Sequence, residues 1–242
     1  MTYSLLATFI TGIWLLLTIL LSISLAEILP ADFMNRNYTG AITKPKPAAQ
    51  IAFISIAGTF LATFFVWTAT PFVSHYYDYL NASLLRLHAV WWFLVLVITA
   101  IIRQFPRQTD SFRWITAMAM VAVVSIVFLA PITRNIAIGF LAKPYPLTGI
   151  VSEKNADMSK YGTYYSVAID TNSYNVTRIA YSELHIGETA NLVRTEFNNM
   201  VFPVHHAKST WFGALLLILN LLIISSVIII IGNGFVSEAE SL

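Results

Sequence analysis

The stretch WFGALLLILNLLIISSVIIII at residues 211–231 carries no charged side chain. An α-helix rises about 1.5 Å per residue, so about 20 apolar residues cross a hydrocarbon core about 30 Å thick. Lipid offers the backbone N–H and C=O groups no hydrogen-bond partner, so a segment of this kind must form its hydrogen bonds within itself. We therefore predict a transmembrane helix here, over residues 210–232.

Four further stretches have the same character, and we predict spans at 4–28, 51–73, 84–102 and 114–132. The composition agrees, because 57% of the residues are hydrophobic and 11% are charged, whereas soluble domains carry about 25% charged residues. The net charge is only +2 and the basic residues are scattered, which argues against a nucleic-acid partner. The lipid bilayer is the first predicted partner.

The distribution of Lys and Arg predicts the orientation of the spans. The first apolar run, about 25 residues long, exceeds the about 7–15 residues of a signal-peptide core, so we expect it to be retained. Five spans place the connecting segments alternately on two sides of the membrane. The first side holds the C-terminus with segments 29–50 and 103–113. The second side holds the N-terminus with segments 74–83 and 133–209. Near the span ends the first side carries Arg36, Lys44, Lys46, Arg103, Arg107 and Arg113, and the other carries Arg86, Arg134, Lys143 and Lys208. The positive-inside rule then places the C-terminus in the cytoplasm and residues 133–209 outside. We expect the membrane to be a bacterial inner membrane.

Between the last two spans the pattern changes from continuous apolar runs to short alternating ones. We predict four strands, in LTGIVSE (147–153), YGTYYSVAID (161–170), YNVTRIAYSE (174–183) and TANLVRTEF (189–197), with polar turns at NADMSK (155–160) and DTNS (170–173). Such strands bury an apolar face only if they curl into a small barrel or sandwich. The predicted fold is a helical bundle of about five spans with a small β-rich extramembrane domain.

The predicted domains are a four-helix transmembrane region at 1–142, the β-rich domain at 143–208, and the fifth helix with a short tail at 209–242. Beyond Pro131, TRNIAIGFLAKPYP (133–146) is typical of an amphipathic segment that lies along the membrane surface. We expect Tyr76, Tyr77, Trp91 and Trp92 to form an interfacial aromatic belt, because these side chains favour headgroup depth.

The histidines are the main candidates for chemistry, since all five fall on one predicted side of the membrane. His75, His88, His205 and His206 are candidate metal ligands, with Asp78, Glu183 and Glu188 as possible co-ligands, and His185 is the fifth histidine. Neutral imidazole with carboxylate suits zinc, copper or iron. No pair has helical H-x-x-x-H spacing, so the alternative of amphipathic residues at their preferred depth stays open.

Asn220 lies near the middle of the last span, and its amide needs a partner on another helix. It is either an interhelical packing residue or a contact for a substrate or ion. The chain has no cysteine, which excludes disulfides, Cys-ligated zinc, iron–sulfur clusters and a Cys nucleophile. It also has no P-loop, G-x-S-x-G, H-E-x-x-H or dinucleotide fingerprint.

We therefore expect no catalytic residues and no cofactor. The expected function is that of a non-catalytic accessory or assembly subunit of a membrane complex. Such a subunit contacts other membrane proteins through the β-rich domain and the helix faces, although a domain that merely caps the bundle stays possible. The alternatives are a transporter or channel component and a membrane-bound metal or haem oxidoreductase subunit. An absorption spectrum with elemental analysis separates the last from the others.

Overall fold

The computed structural model describes residues 2–29, 47–69, 73–104, 111–160, 162–195 and 199–239. Five long helices are α1 (Thr2–Ile28), α2 (Pro47–Ala69), α3 (Tyr76–Gln104), α4 (Ser111–Leu141) and α6 (Trp211–Ala239), and α5 (Arg178–Glu183) is short. By length and composition all five long helices are able to cross a membrane. The predicted number of apolar helices of membrane-spanning length is thereby confirmed. The predicted end of the second span, 70–73, falls largely outside the described residues.

The helices form a four-membered ring with one helix outside it. Helix α1 packs against α4 and α6, and α3 packs against the same two helices from the opposite side. Helix α2 packs outside the ring on α3 and α6. Its exposed face carries large apolar side chains such as Phe53, Phe64 and Trp67, which suits contact with lipid.

Helix α4 corrects the prediction for the residues after Pro131. The helix runs through Pro131 to Leu141 without a break, so the predicted span at 114–132 is too short and no separate surface segment follows it. Among its described residues, Ala122–Leu141 is long and apolar enough to cross a membrane. Proline removes one backbone donor, but transmembrane helices tolerate it because neighbouring groups satisfy the freed carbonyl.

The β-rich domain is a five-stranded curled sheet. Its strands are β1 (Tyr145–Ser159), β2 (Gly162–Ile169), β3 (Asn172–Val176), β4 (Thr189–Arg194) and β5 (Val201–Pro203). The spatial order is β3-β2-β1-β4-β5, and all neighbouring strands are antiparallel.

The long strand β1 curls the sheet towards closure. Its first part pairs with β4, its second part pairs with β2, and a bulge between Val151 and Glu153 separates them. A parallel bridge from Asn175 to Met200 then brings β3 next to the start of β5. With α5 between β3 and β4, the strands form a small, partly closed antiparallel barrel. A fold of this kind hosts many functions, so it carries no function by itself.

Two local predictions for the barrel were wrong. The predicted turn NADMSK belongs to β1 except for Lys160, because residues 155–159 pair with β2 while facing water, and the chain turns only after Ser159. The predicted third strand divides at Thr177, whose side chain accepts a hydrogen bond from the Ala180 N–H at 3.2 Å and caps α5. This cap satisfies an N–H group at the helix start. The strand β5 was not predicted.

The barrel and the bundle share one apolar core. Phe202 of β5 is fully buried, and its ring centroid lies 5.6 Å from that of Tyr76 and 5.9 Å from that of Tyr79, both on α3. Val193 of β4 and Leu129 of α4 belong to the same buried cluster. The barrel is therefore docked on the end of the bundle where α3 and α6 begin.

Candidate functional site

Three of the four predicted metal ligands meet where the barrel joins the bundle. His75 lies just before α3, and His205 and His206 form a 3-10 turn, Val204–His206, between β5 and α6. The ring centroids of His205 and His206 are 4.1 Å apart, and those of His75 and His206 are 4.7 Å apart. Tertiary folding thus gathers rings from two distant parts of the chain.

Glu183, the last residue of α5, completes this group. Its Oε2 lies 3.4 Å from Nε2 of His205, and its Oε1 lies 3.7 Å from Nε2 of His206. One ligand atom from each of Glu183, His205 and His206 lies within 4.8 Å of the others. We call these three residues the junction cluster.

The junction cluster is open to solvent on one side. The His205 side chain is 68% exposed and the Glu183 side chain is 39% exposed, whereas the His206 side chain is only 10% exposed. Nδ1 of His206 is buried and has no hydrogen-bond partner among the described residues. His75 instead shares a hydrogen bond between its Nδ1 and the Ser74 hydroxyl at 2.8 Å.

His88 lies away from the junction cluster, inside the bundle. Its Nδ1 is 2.9 Å from Oδ1 of Asn220, and the Asn220 amide group donates to the Asn81 carbonyl at 3.1 Å. The carbonyl orients the amide, so its Oδ1 faces the imidazole and the His88 Nδ1 carries the proton. Trp14 of α1 packs edge-on against His88 with ring centroids 5.4 Å apart. The structure therefore brings three, not four, of the predicted histidines together.

Asp78 is not placed as a metal co-ligand, because its carboxylate is buried and already bonded to the start of α6. Oδ1 accepts hydrogen bonds from the Ser209 hydroxyl and the Thr210 N–H, both at 3.0 Å, and Oδ2 accepts from the Thr210 hydroxyl. A carboxylate at a helix N-terminus is favoured by the helix dipole. A Cβ at Gly213 would overlap this carboxylate, so glycine permits the close approach.

These contacts form one polar seam along the parallel helices α3 and α6. The residues that contribute these polar groups follow one another on each helix at the same spacing, three and then seven residues. We call this set the polar seam, and it consists of Asp78, Asn81 and His88 on α3 with Thr210, Gly213 and Asn220 on α6. Of these residues the sequence predicts only Asn220 as a helix-packing residue, because His88 and Asp78 are predicted only as possible metal ligands. The matching spacing in the two helices is a signal that was present in the sequence.

The remaining predicted residues lie elsewhere. Tyr76, Trp91 and Trp92 are buried in the interior instead of facing the lipid, and Tyr77 is half-buried. The Tyr76 hydroxyl donates to the Gly139 carbonyl at 2.5 Å and so ties α3 to α4. His185 and Glu188 are exposed on the loop between α5 and β4, outside the junction cluster.

Comparison with known proteins adds no relative. The chain matches no protein-family model, no curated protein and no solved structure.

Proposed function

We propose that this protein is an accessory or assembly subunit of a membrane complex, and that its barrel binds another protein subunit. The observation that carries the proposal is the β1–β2 hairpin, which extends beyond the core of the barrel. All side chains of residues 155–160 are exposed. Met158 is 90% exposed and Tyr164, on the facing strand, is 59% exposed.

Tyr165 and Ser166 at the base of this hairpin also pair with β3, whereas the described residues 157–159 and 162–164 towards its tip pair only with each other among the strands. The pairs run from Asn155 with Ser166 to Ser159 with Gly162. An isolated two-stranded ribbon is marginally stable in water, so an exposed ribbon with apolar side chains at its tip gains stability when a partner covers it. Within the described chain no strand pairs with the outer edge of residues 153–158. An edge of this kind is suited to pairing with a strand of a partner.

The charges of the hairpin favour a protein partner over the membrane surface. Asp157 and Lys160 near the tip have opposite signs. Anionic headgroups attract clusters of basic residues, and the hairpin has no such cluster. Apolar and aromatic groups bordered by charges of both signs are typical of protein interfaces.

The proposal includes a position in the bacterial inner membrane, with the N-terminus and the barrel outside and the C-terminus in the cytoplasm. The six-to-four excess of basic residues near the span ends supports this orientation. A topology reporter fused after Leu242 is expected to report cytoplasm, and one inserted after Thr171 is expected to report the outside. The reverse pattern overturns the orientation and leaves the partner proposal intact.

Co-purification from native membranes in mild detergent tests the function. We expect a stoichiometric partner with the wild-type chain and its loss in Met158→Asp. The matched control is Ile186→Asp, which places the same charge at a 61% exposed apolar site elsewhere on the barrel. A partner retained by both variants, or no stoichiometric partner with the wild type, overturns the proposal. The transporter and oxidoreductase alternatives stay predictions, to be tested by transport assays and an absorption spectrum.

A further inference from the structure

We propose that the junction cluster binds one divalent transition-metal ion, with Zn²⁺ as the expected occupant. Glu183, His205 and His206 supply one carboxylate and two imidazoles, a donor set that zinc accepts in proteins. The inference is independent of the partner proposal, because it concerns the junction of barrel and bundle and not the hairpin.

Two of the distances within the cluster resemble those between ligands around a metal, and its three ligand atoms all lie within 4.8 Å of one another. Zn–N and Zn–O bonds of about 2.0–2.2 Å place neighbouring ligands of a tetrahedral ion about 3.3–3.6 Å apart. The separations of 3.4 and 3.7 Å from the Glu183 oxygens to the two imidazole Nε2 atoms are close to this value. A charge-assisted hydrogen bond between the same groups measures about 2.7–2.9 Å. The side chains therefore converge without forming the short bonds that an ion pair alone favours.

The surroundings of the cluster fit a cation as well. The imidazoles of His205 and His206 lie at one carboxylate, that of Glu183, and the His75 ring packs on His206. His75 lies outside the group whose ligand atoms converge, so we assign it to packing against His206 and not to coordination.

The exposed side of the cluster leaves room for water as a fourth ligand. Structural zinc sites are closed by four protein ligands, whereas sites with three protein ligands keep one position open. Glu183 belongs to the barrel and the two histidines lead into α6. A bound ion therefore links α5 to the start of the last span.

The test uses the full-length protein in detergent after chelator treatment, titrated with Zn²⁺ and followed by calorimetry and thermal unfolding. We expect one bound Zn²⁺ per chain, a rise in Tm, and no saturable binding of Mg²⁺, which prefers all-oxygen sites. In Glu183→Gln and His205→Gln the affinity should fall by more than about 100-fold, beyond the about 10–100-fold typical of second-shell changes. His205 is mostly exposed, so its replacement leaves the core intact.

His185→Gln is the matched control, because His185 lies two residues from Glu183 and outside the cluster. Its Zn²⁺ affinity is expected to equal that of the wild type. Co²⁺ in place of Zn²⁺ should give the visible absorption of a four-coordinate ion with the wild type and the control, and lose it in His205→Gln. Absence of saturable Zn²⁺ binding, or equal binding by the control and both ligand variants, overturns the proposal.

Discussion

Replacing Asn220 with leucine tests the polar seam at its deepest point. The substitution removes the hydrogen bond from His88 at 2.9 Å and the bond to the Asn81 carbonyl at 3.1 Å. Hydrogen bonds between membrane helices contribute on average about 0.6 kcal/mol each, and at most about 1.7 kcal/mol. Two such bonds give an expected loss of about 1–3 kcal/mol in the free energy of unfolding. Asn220 is almost fully buried, so water cannot replace the lost partners.

Reversible unfolding of the purified protein in mixed detergent micelles measures this loss. Asn233→Leu is the matched control on the same helix, because the Asn233 amide donates to the carbonyl of Ile229 in its own helix at 3.0 Å and is exposed. Its expected effect is below about 0.5 kcal/mol, as for surface substitutions in general.

A double variant separates the contact from general packing. The loss in His88→Leu/Asn220→Leu should be smaller than the sum of the two single losses, because removing both partners leaves fewer buried groups unpaired. Additive losses, or an Asn220→Leu variant as stable as the wild type, refute the reasoning.

Further substitutions test the other contacts of the fold through the same unfolding assay. Gly213→Ala should destabilise the protein by about 1–3 kcal/mol, because the new methyl group overlaps the Asp78 carboxylate. In the control Gly232→Ala the methyl group meets open space, so its effect should be neutral. Equal losses in the two variants would contradict the close approach of Gly213 to Asp78. Thr177→Ala should lower the free energy of unfolding by about 0.5–2 kcal/mol, because α5 loses its N-terminal cap. An unchanged free energy of unfolding would contradict the role of this cap. Phe202→Ala should cost about 3–5 kcal/mol and expose the junction to limited proteolysis; unchanged protease resistance would show that the shared core is not what docks the barrel.

The helices could be predicted from the sequence because lipid imposes a simple rule. A segment that must satisfy its own backbone and contact hydrocarbon is recognisable from its apolar length alone, as residues 211–231 show. The same rule did not locate the ends of the helices. Helix α3 begins at Tyr76 and α4 ends at Leu141, and Tyr76 and Ile136 near these ends pack with Phe202 of the barrel and not only with other helices.

The barrel was less predictable, because strand pairing depends on residues far apart in the chain. Residues 155–158 form part of β1 only because β2 lies beside them, and no local propensity indicates this. The strand β5 has only three residues, Val201–Pro203, too few for a pattern of period two. The sheet closes through a bridge between Asn175 and Met200, a long-range contact.

The histidines illustrate how far sequence reasoning reaches at a site. Their residue type favours metal chemistry as a hypothesis, which stays a prediction, and spacing along the chain could not show which of them lie together. His75 and His206 are 131 residues apart in sequence, and their ring centroids are 4.7 Å apart. His88 follows His75 by 13 residues, yet it faces Asn220 inside the bundle. Glu183 joins the cluster because Thr177 starts a helix that a strand pattern conceals.

Photocrosslinking from the tip of the hairpin tests the central claim, a protein partner at the β1–β2 hairpin. A photoreactive amino acid at position 158 of the full-length chain is irradiated in native membranes, with position 186 as the matched exposed site. The account predicts one discrete protein adduct from position 158 and none from position 186. No protein adduct from position 158, or the same adducts from both positions, would contradict it.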